Sequence, residues 1–157
     1  MKDYAHQTAV FERFKDKKYA ALFCEMGTGK TRMAIQLANH HFTQDRVTAT
    51  MVVTTRGLMG NWAYVELPKH SDVPYRTYIW NVDKEIPYAD TTHLFFLVNV
   101  DALPTERFAR VFKDFMKKHP AYTLIIDEST TVKNPRSART RATLAAARKA
   151  TARLILS

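Results

Sequence analysis

Short apolar runs, rich in β-branched and aromatic residues, alternate along this chain with longer stretches patterned at helical spacing. The runs are YAALFC (19–24), ATMVVTT (49–55), YRTYIW (75–80), HLFFLVN (93–99), YTLIID (122–127) and ARLILS (152–157). Runs that are apolar at successive positions, and not only at alternate ones, read as strands buried on both faces. The intervening stretches predict helices over 4–14, 30–42, 58–69, 105–119 and 135–150. The third is expected to end near Pro68, and the fourth at Pro120 after Phe108, Val111, Phe112, Phe115 and Met116 line one side. The last is expected to carry Pro135 at its start, where the missing N–H costs nothing. Strand and helix in regular alternation predict an α/β fold, with a mainly parallel central sheet and helices on both faces. In such sheets ligands bind beyond the carboxyl ends of the strands.

The first strand–helix junction reads CEMGTGKTRMA, Cys24 to Ala34. Gly27 and Gly29 permit a backbone that turns its N–H groups inward, as a phosphate cradle requires. Lys30 would reach the β- and γ-phosphates, and the Thr31 hydroxyl would hold Mg²⁺ at the positive end of the following helix. The full phosphate-loop pattern places glycine where this chain has Cys24. Taken alone, the stretch therefore reads either as a cradle or as a glycine turn that precedes a helix. The run LIIDES adds Asp127 and Glu128 at a strand end. One carboxylate there can hold magnesium through water, and its neighbour can orient or deprotonate an attacking water. The alternative is an ordinary acidic strand end. Loop and acid pair in this order, with strands between them, point to an ATP or GTP site.

With 157 residues, 46% hydrophobic and 25% charged, the chain suits one globular domain with a real core, expected to span 1–157. It holds no apolar run long enough to span a bilayer, and MKDYAHQTAV lacks the apolar core of a secretory signal. A single cysteine excludes an internal disulfide and fits a reducing, cytoplasmic setting, nuclear if the source is eukaryotic. The net charge of +9 suits a polyanionic partner, though solubility also accounts for it. After Glu128 no acidic residue follows, while Lys133, Arg136, Arg139, Arg141, Arg148, Lys149 and Arg153 do. That segment reads as a nucleic-acid contact or as a solvated face. Arg56, on a loop after a strand, is a further nucleic-acid candidate. Trp62 and the aromatics Phe108, Phe112 and Phe115 read as core, His40 and His41 as caps of helix-end carbonyls, and Cys24 as buried and inert.

EMGTGKT, DEST and VKNPRSARTRA together resemble the motifs of superfamily 2 helicases, most closely the Swi/Snf-type translocases. That family's loop tolerates a non-glycine at the Cys24 position, and a Lys-Asn-Pro step soon after the acid pair, here Lys133 to Pro135, is characteristic of it. YAHQTAV is similar to its adenine-recognition element, with Gln7 in the reading position. VVTTRGLMGNW is similar to the motif after its second strand, and LVNVDAL to a later DNA-side motif. The resemblance implies a RecA-like phosphate-loop fold and ATP with Mg²⁺ as cofactors. A glutamine amide, which both donates and accepts, suits adenine. It also implies Lys30, Asp127 and Glu128 as catalytic residues, and Gln7, Met26, Gly27, Thr28, Gly29, Lys30, Thr31 and Arg32 as the nucleotide contacts. Thr31 and Asp127 would hold the metal, and Arg56, Lys133, Arg136, Arg139 and Arg141 would meet double-stranded DNA. The closing RLILS resembles the strand that leads into the family's third motif. The chain is accordingly expected to be the first half of a motor, nearly inactive by itself, with a second RecA-like domain in the full-length parent. Another superfamily 2 enzyme, such as a restriction-type translocase subunit or an RNA helicase, and a nucleotide-dependent binding module without motor activity remain as alternatives.

Overall fold

The computed structural model describes residues 4–128 and 132–157. Six strands form one sheet: β1 (Tyr19–Leu22), β2 (Ala49–Thr54), β3 (Tyr75–Ile79), β4 (His93–Asn99), β5 (Tyr122–Ile126) and β6 (Ala152–Leu156). Their order across the sheet is β1-β6-β5-β2-β4-β3, and every neighbouring pair is parallel. All strand ends that precede a helix therefore open on the same edge.

The sheet is covered on both sides, as strands with no polar face require. Successive side chains of one strand go to opposite faces. On β2, Met51 and Val53 join one apolar cluster with Phe96, Phe108, Phe115, Tyr122 and Ala146, while Val52 joins a second with Met33, Leu37, Trp62, Leu67 and Ile125. The first cluster is roofed by α5 (Glu106–Lys118) and α6 (Ala138–Lys149). The second is roofed by α1 (Ala5–Phe14), α2 (Lys30–Thr43) and a helical segment made of α3 (Arg56–Asn61) and α4 (Leu67–His70). The expected fold class is thus the observed one.

One helix boundary differs from expectation, and another is reached in an unexpected way. The segment after β2 ends near Pro68, as expected, but the proline itself does not stop it. Between α3 and α4 lies a π-helical turn, Trp62–Glu66, in which the Leu67 N–H bonds the Trp62 carbonyl five residues back. Proline has no N–H and its ring crowds the carbonyl four residues earlier, and widening the preceding turn relieves that clash. The helix then continues to His70, and the Ser71 N–H bonds Leu67 O. The last helix does not begin at Pro135. Ser137 is its N-cap, with Oγ accepting from Thr140 N at 3.2 Å, because a hydroxyl that satisfies an orphan N–H outweighs proline's preset φ.

The histidines at the end of α2 do not cap its carbonyls. His41 is buried, with Nδ1 3.1 Å from Thr123 Oγ1. His40 lies 3.4 Å from the Asp16 carboxylate, and the helix end is closed instead by Gln44 N–H and Thr43 Oγ1 on His40 O. Among the described residues no helix is long and apolar enough to cross a membrane.

Candidate functional site

The loop from β1 into α2 holds Gly27 at φ 80° and Gly29 at φ 81°, a region that L side chains avoid. Gly29 is the N-cap of α2, so the first turn of a long helix opens directly onto the loop. Thr28 Oγ1 donates to Glu25 O at 2.8 Å, and Lys30 Nζ donates to Cys24 O at 2.9 Å across the turn. Cys24 itself is half-buried and not fully enclosed.

Gln7, on α1, is buried rather than an exposed helix residue. Its Nε2 donates to Thr28 O at 3.2 Å, its Oε1 accepts from Tyr4 N at 3.2 Å, and His6 Nε2 lies 3.1 Å from the same Thr28 carbonyl. A Cβ on Gly29 would lie 2.4 Å from Gln7 Nε2. The second glycine is thus required twice, once for its backbone angle and once so that the glutamine can reach the loop.

A cavity of about 480 Å³ opens beside this latch. Gln7, Gly27, Gly29, Lys30, Thr31 and Arg32 line it, which brings together most of the residues expected to contact nucleotide. Met26 instead projects into solvent, 95% exposed. Its other wall comes from the helix after β2, through Glu66, Lys69 and His70, with Tyr4 at the entrance from α1. Sequence reasoning missed this wall. Its one signal was helical spacing, since Glu66 and His70 stand four apart and share a face. Their side chains meet at 3.4 Å. Burial holds His70 below the ordinary imidazole pKa, and the Glu66 carboxylate opposes that shift.

Asp127 and Glu128 follow β5 at the same edge of the sheet, with β6 standing between β5 and β1. They are not among the residues that line the cavity. The Asp127 N–H continues the ladder to Val53 O at 2.9 Å. Its Oδ2 accepts from the Trp62 indole Nε1 at 2.8 Å and from Thr54 Oγ1 at 3.4 Å. Trp62 is core, as expected, but it also binds the acid. Glu128 is exposed and adopts φ 59°, a left-handed angle uncommon outside glycine. Ser129 and Thr130 of the DEST stretch lie outside the described residues.

The basic candidates are spread over the same end of the sheet. Arg56 lines a second cavity, of about 280 Å³, with Trp80, Asn99, Asp101 and Arg107. The Arg107 guanidinium lies 4.7 Å from the centre of the Trp80 ring. Arg139 is drawn to this cleft by an ion pair with Asp101 at 3.1 Å. Lys133, Arg136 and Arg141 are exposed.

Residues 10–157 match the SNF2-related domain family. No curated protein sequence matches the chain. Among solved structures, one similar to it is a nuclease-deletion mutant of the Type ISP restriction-modification enzyme LlaGI, in complex with a DNA substrate mimic. The likeness has a TM-score of 0.71 at 13% identity and covers 100% of this chain, which in turn spans 17% of that one. At that identity the likeness speaks for the fold. The family match reaches nearly the whole chain, and with it the all-parallel sheet and the glycine loop at the end of β1: the chain belongs to the SNF2-related domain family and is a helicase-like, RecA-like domain of superfamily 2.

Proposed function

We propose that this chain is the ATP-binding first half of a Swi/Snf-like motor, one that couples ATP hydrolysis to movement on double-stranded DNA and works with a second RecA-like domain. The observation that carries the reading is the loop at the head of α2, with two glycines at positive φ, a lysine within it and a cavity of about 480 Å³ beside it.

The residues present fit a nucleoside triphosphate with magnesium. Gly29 has no Cβ where one would displace the Gln7 amide from the loop, and the N-terminus of α2 favours an anion. ATP and Mg²⁺, when bound, supply the phosphoanhydride to be cleaved and the cation that neutralises its oxygens. Lys30 would exchange its bond to Cys24 O for one to a phosphate, so its donor is satisfied in either state. Thr31 and Asp127 are the metal-holding groups, and Glu128 positions or deprotonates the attacking water. Gln7 keeps one N–H and one lone pair beyond its bonds to Thr28 and Tyr4, enough to read adenine while it senses the loop. Gly27, Thr28, Gly29 and Arg32 complete the nucleotide set.

On the DNA side, Arg56 and Arg107 flank one cleft, Arg139 reaches it through Asp101, and Lys133, Arg136 and Arg141 are exposed on the same acid-free segment. Contacts of this kind would be to phosphates and would weaken with salt. A restriction-type translocase subunit is the second reading, since the LlaGI structure is of a restriction-modification enzyme.

Calorimetric titration tests the nucleotide site. Lys30→Ala should lose the affinity that the wild type shows for ATP with magnesium, because one charge-assisted contact contributes about 1.5–3 kcal/mol. Unchanged affinity would sink the reading. Phosphate release by the full-length parent, with duplex DNA and with RNA added, then tests the motor. Stimulation by RNA alone would replace the DNA assignment.

A further inference from the structure

Trp62 is 1% exposed, and a buried indole N–H needs an acceptor. The acceptor here is the Asp127 carboxylate at 2.8 Å, 65 residues away in the chain, and not a backbone carbonyl. Thr54 Oγ1 approaches the same oxygen, Oδ2, at 3.4 Å, so the indole is the closer donor. With both donors on Oδ2, the carboxylate is oriented, and among the described residues no hydrogen bond falls on Oδ1, the oxygen that would meet a further ligand.

The placement of Trp62 extends the point. It opens the π-helical turn of a helical segment that runs from Arg56 to His70. Glu66, Lys69 and His70, further along that segment, form a wall of the cavity beside the glycine loop. Damage to the helix as a whole would therefore disturb the cavity wall, whereas loss of the indole N–H alone would disturb only the carboxylate.

We propose that Trp62 is the positioning residue of Asp127, its indole N–H holding that carboxylate in the orientation that magnesium requires. This inference rests on the reading of the chain as an ATP-binding domain. It assigns to the tryptophan of the GNW stretch a role in metal affinity beyond filling the core.

The test uses ADP and magnesium as probes. Trp62→Phe keeps a ring in the core and removes the N–H. Metal-free ADP binding, measured in EDTA, is compared with the magnesium concentration needed to saturate the ADP-bound protein. Trp62→Phe should leave metal-free ADP affinity within about twofold of wild type and raise the magnesium midpoint about 10–100-fold, the usual cost of losing a group that orients a metal ligand. Equal magnesium midpoints in variant and wild type would overturn the inference, and so would a parallel loss of metal-free ADP binding. If the wild type binds no ADP in EDTA or in magnesium, the ATP-binding reading falls and takes this inference with it. A second measurement guards against misfolding of the variant. The chain has two tryptophans, so Trp80→Phe leaves Trp62 as the only indole. Its emission should shift when magnesium is added to the ADP-bound protein. An emission unmoved by saturating magnesium would overturn the proposal.

Discussion

Gly27 and Gly29 share a backbone angle but not an environment. An added Cβ meets nothing within 4 Å at Gly27, whereas at Gly29 it would meet Gln7 Nε2 at 2.4 Å. Gly27→Ala should therefore cost only the left-handed strain, about 1–2 kcal/mol in urea unfolding. Gly29→Ala should cost more, because the same strain is joined by displacement of the Gln7 amide from Thr28 O. Equal losses would show that the latch contributes nothing. Glu128 presents the opposite case, a residue with a large side chain held at φ 59°. Strain kept at such a position is commonly tied to function. Glu128→Gly should stay within about 1 kcal/mol of wild type in stability, since release of the strain is set against added chain entropy and the lost contacts of the side chain. It should also abolish ATP hydrolysis by the full-length parent. Denaturant unfolding and phosphate release, run on one preparation, check both halves.

At the scale of elements, helix ends follow hydroxyl chemistry more than proline. Thr105 Oγ1 accepts from Phe108 N at the start of α5, and Ser137 Oγ does the same for Thr140 N at the start of α6. Ser137→Ala should cost about 1 kcal/mol in thermal or urea unfolding. Pro135→Ala, two residues before the N-cap, should stay within about 0.5 kcal/mol of wild type. A reversed order would restore Pro135 as the start of the helix. The segment after β2 teaches a related point. LMGNWAYVELPK was legible as a helix, and Pro68 was legible as a disturbance. The disturbance was absorbed as a π turn, because apolar contacts made by Trp62 and Leu67 hold the turn against the sheet up to the residue before the proline.

For the whole molecule, acid sensitivity is expected from the end of the sheet opposite the glycine loop. His93, at the start of β4, is buried between Asn39 Oδ1, 2.9 Å from Nδ1, and Thr50 Oγ1, 2.8 Å from Nε2. Burial pushes its pKa down to about 3, and that of His41 to about 4. Burial also lowers His119, which lies 2.8 Å from Thr48 Oγ1. These histidines stay neutral in the folded protein, whereas in the unfolded chain they charge near pH 6.5. The unfolded state then binds more protons at any pH between those values, so stability rises with pH through the window and is lost as pH falls below about 6.5. Each histidine contributes a slope of up to about 1.4 kcal/mol per pH unit. Urea unfolding at pH 7.5 and pH 5.5 should show a large loss at the lower value, and His93→Gln should reduce it by one histidine's share. A variant with the wild-type slope would place the acid sensitivity elsewhere.

The sequence by itself determined the strands, the alternation that makes the sheet parallel and covered on both faces, and the chemistry of the loop at Gly27–Thr31. Each of these depends on residues within a few positions of one another, through side-chain periodicity and turn geometry. Only the tertiary structure decided that β6 lies between the glycine loop and the acid pair, that Gln7 latches Thr28, that Lys69 and His70 form a cavity wall, and that Trp62 binds Asp127. The reason is physical. Such contacts join residues far apart in the chain, and their partners are selected by how two layers of helices pack on one sheet, which no local pattern of side chains encodes.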